Sequence, residues 1–220
     1  MSVFTYFISK RLRLQVRTQK RLEDHSKPSL NFFFLTGLSS ALAALGLLLN
    51  NVSIIIGAMV VAPLTTPMFD LALSTIVFNT RRMVLSLSAT ALGVLLAIGT
   101  GAFVGIISSS LDGRAPVINA EIASRLEPSL LFFLVAFLSG LAGAYAYSRP
   151  KVPETITGIA ISVAVIPPLS VTGLGIVMQS SFVTVQSFLL YLFNFFGIVL
   201  GSILMFIIVG MQHEKHTNGN

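Results

Sequence analysis

Polar residues are sparse along most of this 220-residue chain, and they fall in short clusters that separate long apolar runs. Runs of about 18 or more apolar residues are long enough to cross a ~30 Å hydrocarbon layer as helices. The pattern predicts six: Leu30–Leu49, Val52–Phe78, Met83–Ile107, Leu130–Tyr147, Ile156–Met178 and Phe182–Val209. The third carries Ala89, Gly93, Ala97, Gly101 and Gly105 at a strict spacing of four, and the sixth carries Gly197 and Gly201. Small residues on one face let another helix approach closely. Such a ridge joins either two halves of one chain or two subunits, and spacing alone does not choose.

The chain repeats itself. "PSLNFFFLTGLSSALAA" at 28–44 aligns with "PSLLFFLVAFLSGLAGA" at 128–144, matching at eight of seventeen positions without a gap. Five residues inserted later, "VVAPL" at 60–64 meets "AVIPPL" at 164–169. Two copies of a three-helix unit account for both matches. Three is odd, so the second copy enters a membrane from the opposite side, giving an inverted repeat. The expected architecture is all-α and membrane-embedded. It divides into a basic tail 1–27, a first unit 28–107, an external loop 108–127, a second unit 128–210 and a tail 211–220.

The second helix of each unit is interrupted. Pro63 and Pro67 are expected to free the carbonyls of Met59 and Pro63 near the middle of one helix, and Pro167 and Pro168 those of Val163 and Ala164 in the other. Unsatisfied backbone groups in hydrocarbon are costly, so they must face protein, water or a ligand. Half-helix starts suit an anion, and freed carbonyls suit a cation. A plain proline kink, satisfied by hydroxyls, is the bland alternative for either break alone. Two matched breaks point to a binding site lined by Gly57, Pro63, Thr65, Thr66, Pro67, Asp70, Pro167, Pro168, Ser170, Thr172 and Asn194. Asp70 is the only formally charged residue deep in any expected span. It either couples to a proton or cation, or ties helices together through hydroxyl and backbone donors. A spanning helix with a break is preferred over a re-entrant hairpin, because a hairpin would invert every later loop.

Composition and charge sharpen this. Only 10% of residues are charged and 54% are hydrophobic, with a mean hydropathy of +0.87. A soluble domain carries about 25% charged residues. Twelve of the fourteen Lys and Arg residues fall on one side of the six-helix topology, leaving only Arg114 and Arg125 on the other. Lys and Arg collect on the cytoplasmic side, so both termini are expected there. Lys10, Arg11, Arg13 and Arg17 punctuate an apolar stripe of Phe4, Ile8, Leu12 and Val16. That segment reads as an amphipathic helix on anionic lipid, or as a solvated basic tail. No cysteine is present, and the three histidines lie in polar tails, so no metal site or cofactor is expected. Glu121 and Glu127 in the external loop read as a solvated face. No catalytic constellation stands out, and a nucleic-acid partner is a poor reading of basic residues that flank spans.

"IIIGAMVVAPLTTP", "EIASRLEPSLLFFLVAFLSGLAGAYA" and "ITGIAISVAVIPPLSVTGLG" resemble the uncharacterised hydrophobic membrane proteins of domain-of-unknown-function family 389, bacterial and archaeal. The likeness covers most of residues 30–205 and implies a multi-pass helical fold in a bacterial or archaeal inner membrane. The family often has a Gly-rich stretch after the first proline, where this chain has Thr65, Thr66, Met68 and Phe69, so Asp70 is not carried over as a family feature. Some relatives add a soluble domain, and none is expected here. The first functional expectation is a small secondary transporter or channel-like carrier for an unknown solute or ion. The alternative is a non-transporting sensor that binds a lipid or a phosphate-bearing ligand. An intramembrane assembly subunit is a third. The expected partners are membrane lipids, the solute and further copies of the chain, a dimer first.

Overall fold

The computed structural model describes residues 29–148 and 165–215, apart from the side chains at 112 and 210–215. The described residues form eight helices and no strand: α1 Leu30–Leu48, α2 Val52–Val61, α3 Thr65–Ile76, α4 Thr80–Asp112, α5 Ala120–Ala123, α6 Leu130–Ser148, α7 Ile166–Val177 and α8 Ser181–Lys215. Four of them (α1, α4, α6 and α8) are long and apolar enough to cross a membrane, and the bent pair α2–α3 makes a fifth candidate if it counts as one span. Of the fifth expected span, Ile156–Met178, only α7 lies within the described residues; 156–164 lie outside them, as does the basic tail with Lys10, Arg11, Arg13 and Arg17.

The local signals are plain. Ser29 caps α1, its hydroxyl accepting from the Phe32 N–H, and Asn51 caps α2 by accepting from Ser53 and Ile54. Asn50, Phe78 and Gln179 take positive φ at the tight turns after α1, α3 and α7. α4 has 33 residues, about 50 Å at 1.5 Å per residue. It runs through Asp112, so the first five residues of the expected external loop are helical.

Large apolar side chains cover the outside, among them Phe34, Leu38, Leu92, Leu95, Phe103 and Phe196. Inside, among apolar core side chains such as Leu64, Met68, Phe69, Ile166 and Leu169, hydroxyls and one carboxylate are also buried: Thr36, Ser39, Ser40, Thr65, Thr66, Asp70, Ser86, Ser170, Thr172, Ser187 and Ser202. Apolar side chains on the outside are what a lipid solvent requires.

The ridge on α4 settles the choice left open by spacing. An added Cβ on Gly93 would strike Leu64 and Phe32, one on Gly101 the backbone of Ser170, and one on Gly105 Leu174 and Val177. The ridge therefore packs inside the chain, against the first helices on one stretch and α7 on the next. Gly197 and Gly201 of α8 lie on the backbone of α6 at Phe133 and Phe137. Above these helices, the α4–α6 connection docks rather than floats. Ile122 and Leu126 are buried with Leu47, Ile55, Met59, Val171, Leu174 and Val183. Asn119 Nδ2 donates to the Leu47 carbonyl, and Glu121 pairs with Arg125 at 2.9 Å, a partner the loop reading lacked.

Candidate functional site

The chain breaks at Ala62–Leu64, and α3 sets off at 51° to α2. The prolines start helices more than they break them. Pro67 is the third residue of α3, and Pro167 and Pro168 are the second and third of α7. First-turn N–H groups have no partner within the helix, so proline costs little there. The expected orphan at Pro63 is corrected: its carbonyl accepts from the Thr66 N–H at 3.3 Å, a tight turn into α3. The carbonyl of Ala58, in the last turn of α2, accepts from Ser39 Oγ at 2.6 Å.

Both short helices have twelve residues, and both are buried through almost their whole length. Their contacts with α4 run in opposite directions. Leu64, at the start of α3, meets Gly93, while Asp70, further on, reaches Ser86 and Arg82 near the start of α4. Ser170, in the second turn of α7, meets Gly101, while Leu174 and Val177 reach Gly105. The two helices thus begin near the middle of α4 and diverge toward its two ends. Gly93 and Gly101 are eight residues apart, about 12 Å along the helix.

Around these starts lie hydroxyls. Thr65 and Thr66 are buried at the head of α3, and Thr66 Oγ1 is 3.2 Å from the Tyr147 hydroxyl at the end of α6. Ser170 Oγ donates to the Ser40 carbonyl at 3.3 Å. On α1, Thr36 lies one turn from Phe32, which flanks Gly93, and one turn from Ser40, which meets Ser170. It therefore sits between the two helix starts. The hydroxyls of Thr36 and Ser40 are fully buried and have no hydrogen-bond partner among the described residues. Buried unsatisfied hydroxyls are costly, of the order of 1–3 kcal/mol each, and call for an explanation. N–H donors are scarcer: Pro67, Pro167 and Pro168 have none, and Thr66 spends its own on Pro63.

The expected site residues divide accordingly. Pro63, Thr65, Thr66 and Pro67 adjoin Leu64, which meets Gly93 of α4, and Pro167 and Pro168 precede Ser170, which meets Gly101. Thr172 points further out, bonded at 2.9 Å to Ser187 on α8 and to the Pro168 carbonyl. Asn194 is buried on α8. Gly57 is separated from the rest: it lies exposed on α2, and an added Cβ there would meet nothing within 4 Å. Asp70 also lies apart, toward the start of α4. Its Oδ1 pairs with Arg82 Nη2, and its Oδ2 accepts from Ser86 Oγ at 2.5 Å. Arg82, Ser86, Tyr147, Thr36 and Ser40 were absent from the sequence-derived set. Only the repeat offered a signal for Ser86, through Ser187.

The hydrogen bonds also correct the repeat register. α1 and α6 have 19 residues each and start 100 residues apart. α3 and α7 start and end 101 residues apart, as do the positive-φ residues Phe78 and Gln179 and the starts of α4 and α8. Asn79 N–H bonds the Ser74 carbonyl as Ser180 N–H bonds that of Gly175. The Asn79 side chain caps Arg82 as Ser180 caps Val183. Pro67, not Pro63, therefore matches Pro168, and no five-residue insertion is needed. Asp70 matches Val171 rather than Gly175.

Apolar helices of spanning length with an apolar outer surface define an α-helical protein of membrane type. The family described as Domain of unknown function (DUF389) matches residues 59–200, more than half of the chain. The chain belongs to that family. It is also similar to the uncharacterized protein MJ0678 of Methanocaldococcus jannaschii, 28% identical over 180 residues, which are 80% of this chain and 53% of the relative. The chain thus spans about half the length of that relative. No solved structure gives a significant match.

Proposed function

We propose that the chain is a small carrier or channel-like protein whose solute or ion site lies between the starts of α3 and α7. The observation that carries this reading is the pair of buried, proline-started twelve-residue helices diverging from the middle of α4, with the unpartnered hydroxyls of Thr36 and Ser40 beside them. Discontinuous helices in inverted repeats build the central sites of many secondary transporters. In this reading α1–α4 and α6–α8 form two inverted three-helix units in a bacterial or archaeal inner membrane, both termini are cytoplasmic, and no catalysis is involved. Two features support it. A 51° bend keeps the chain moving forward, whereas a re-entrant hairpin needs a reversal. The two helices together have 22 residues, about 33 Å of rise.

The donor-poor helix starts favour a cation or a small neutral hydrogen-bonding solute over an anion. Thr36, Ser40, Thr65 and Ser170 contact it. Asp70 stands off the site and fixes the position of α3.

A thermal-shift screen of the purified protein against alkali cations, amino acids, nucleotides and phospholipids identifies the ligand class. Flux of the stabilising solute into proteoliposomes then tests transport. Thr36→Val with Ser40→Ala should abolish both the shift and the flux. Stabilisation without flux would replace the carrier by the binding-only sensor. No stabilisation by any class, together with no flux of the same solutes, would remove the central site.

A further inference from the structure

The two halves of the chain provide an internal control for the buried ion pair. Asp70 on α3 and Arg82 on α4 stand 101 residues before Val171 on α7 and Val183 on α8. The equivalence rests on backbone hydrogen bonds. Both short helices end in the same turn, and the caps that follow, Asn79 and Ser180, bond Arg82 and Val183 respectively. Ser86, which donates to Asp70, likewise stands 101 residues before Ser187, which bonds Thr172. One fold thus carries a charged pair at one end and an apolar pair at the other. Val171 and Val183 are fully buried together with Leu47, Leu174, Ile122 and Leu126. Packing at this position therefore does not require charge, and a buried ion pair is often no more stable than well-packed apolar side chains of similar volume.

The surroundings differ in the same sense. α7 is wedged backbone against backbone: an added Cβ on Gly173 would lie 2.3 Å from the Ile98 carbonyl, and one on Gly175 would lie 2.8 Å from the Thr184 nitrogen. α3 contains no glycine. It is tied instead by side chains, through Asp70 to Arg82 and Ser86 and through Thr66 to Tyr147. Side-chain ties of this kind can exchange partners, and interlocked backbones cannot slide without overlap. The charged cluster also lies near an edge. Ser86 is ten residues from the middle of α4, about 15 Å, which is the polar boundary of a ~30 Å layer centred on that helix.

We propose that the Asp70–Arg82–Ser86 cluster is the opening latch of the molecule and the Val171–Val183 cluster its permanent seal. The inference rests on the carrier reading for its purpose, since opening the end closed by α3 would admit a solute to the hydroxyls beside the helix starts. Its structural content, that α3 is released while α7 stays fixed, stands separately.

The chain has no cysteine, so single-cysteine variants report without background. Leu73→Cys on α3 and Leu174→Cys on α7 occupy equivalent buried positions 101 residues apart. In proteoliposomes of unmodified latch, both should react slowly with a membrane-impermeant maleimide. Adding Asp70→Asn should speed labelling at 73 by at least about tenfold, as expected for a raised open population, and leave 174 unchanged. Ser86→Ala, which removes one tie without stranding a charge, should give an intermediate rate. Asp70→Val with Arg82→Val copies the other end and should return labelling at 73 to the slow rate. Unchanged labelling at 73 in both Asp70→Asn and Ser86→Ala would overturn the latch, as would equal acceleration at 73 and 174. Failure of the double-valine variant to fold, or fast labelling at 73 within it, would overturn the equivalence of the two ends. Latch behaviour without solute flux would leave this inference standing and bring down only the carrier.

Discussion

Single side chains in this molecule satisfy backbone that helix geometry leaves open. Ser39 does so at the end of α2, where its hydroxyl donates to the Ala58 carbonyl. Ser39→Ala should lower stability by about 1 kcal/mol, because the acceptor stays buried without that donor. Denaturation of the detergent-solubilised protein by increasing SDS measures this. Thr66 and Tyr147 join α3 to α6 by a hydroxyl pair. A double-mutant cycle of Thr66→Val and Tyr147→Phe should show a coupling of about 1 kcal/mol in the same assay. Zero coupling would mean that the two hydroxyls are neighbours without interaction.

At the scale of the element, α7 decides how closely the bundle can pack. Its glycines let the backbones of α4 and α8 approach it, and their Cβ positions are occupied by neighbouring main chain. Gly173→Ala should therefore cost about 2–3 kcal/mol through overpacking, since carbonyl and amide atoms cannot rotate aside. Gly57→Ala is the control. Its Cβ would enter open space on the outer face of α2, so the change should be neutral or stabilising by up to about 1 kcal/mol through helix propensity. Thermal unfolding of both variants in one detergent compares them. Equal effects would show that α7 is not wedged. The prolines teach a related lesson. Those in the first turns of α3 and α7 occupy the positions a helix tolerates best, so they mark where a helix begins rather than where one fails.

For the whole molecule, the proposed inverted arrangement makes a strong topological prediction. Phe78 and Gln179 are equivalent by hydrogen-bond register, yet the carrier reading puts them on opposite membrane faces. Cysteines placed singly at these two positions should label from opposite sides of sealed vesicles, position 78 from the cytoplasmic face. Labelling of both from one side would remove the inverted repeat and the six-span topology with it. The family of this chain carries no assigned activity, so the function rests on the geometry around α3 and α7.

The sequence determined the class by itself. Apolar length and scarcity of charge marked the runs that became α1, α4, α6 and α8 as long enough to cross a membrane. The matched segments at 28–44 and 128–144 also suggested a duplication. The sequence placed the break between α2 and α3 to within a few residues, since proline acts on its own backbone. Only the tertiary structure decided the rest. Asp70 looked like the lone charge of the interior, but the α3–α4 turn brings Arg82 and Ser86 to it from twelve and sixteen residues away. The register of the repeat was ambiguous among prolines in sequence and fixed only by the bonds that close the turns. Whether the glycine ridge met another subunit or the chain itself depended on where α7 lay, and long-range packing is not encoded in spacing along one helix.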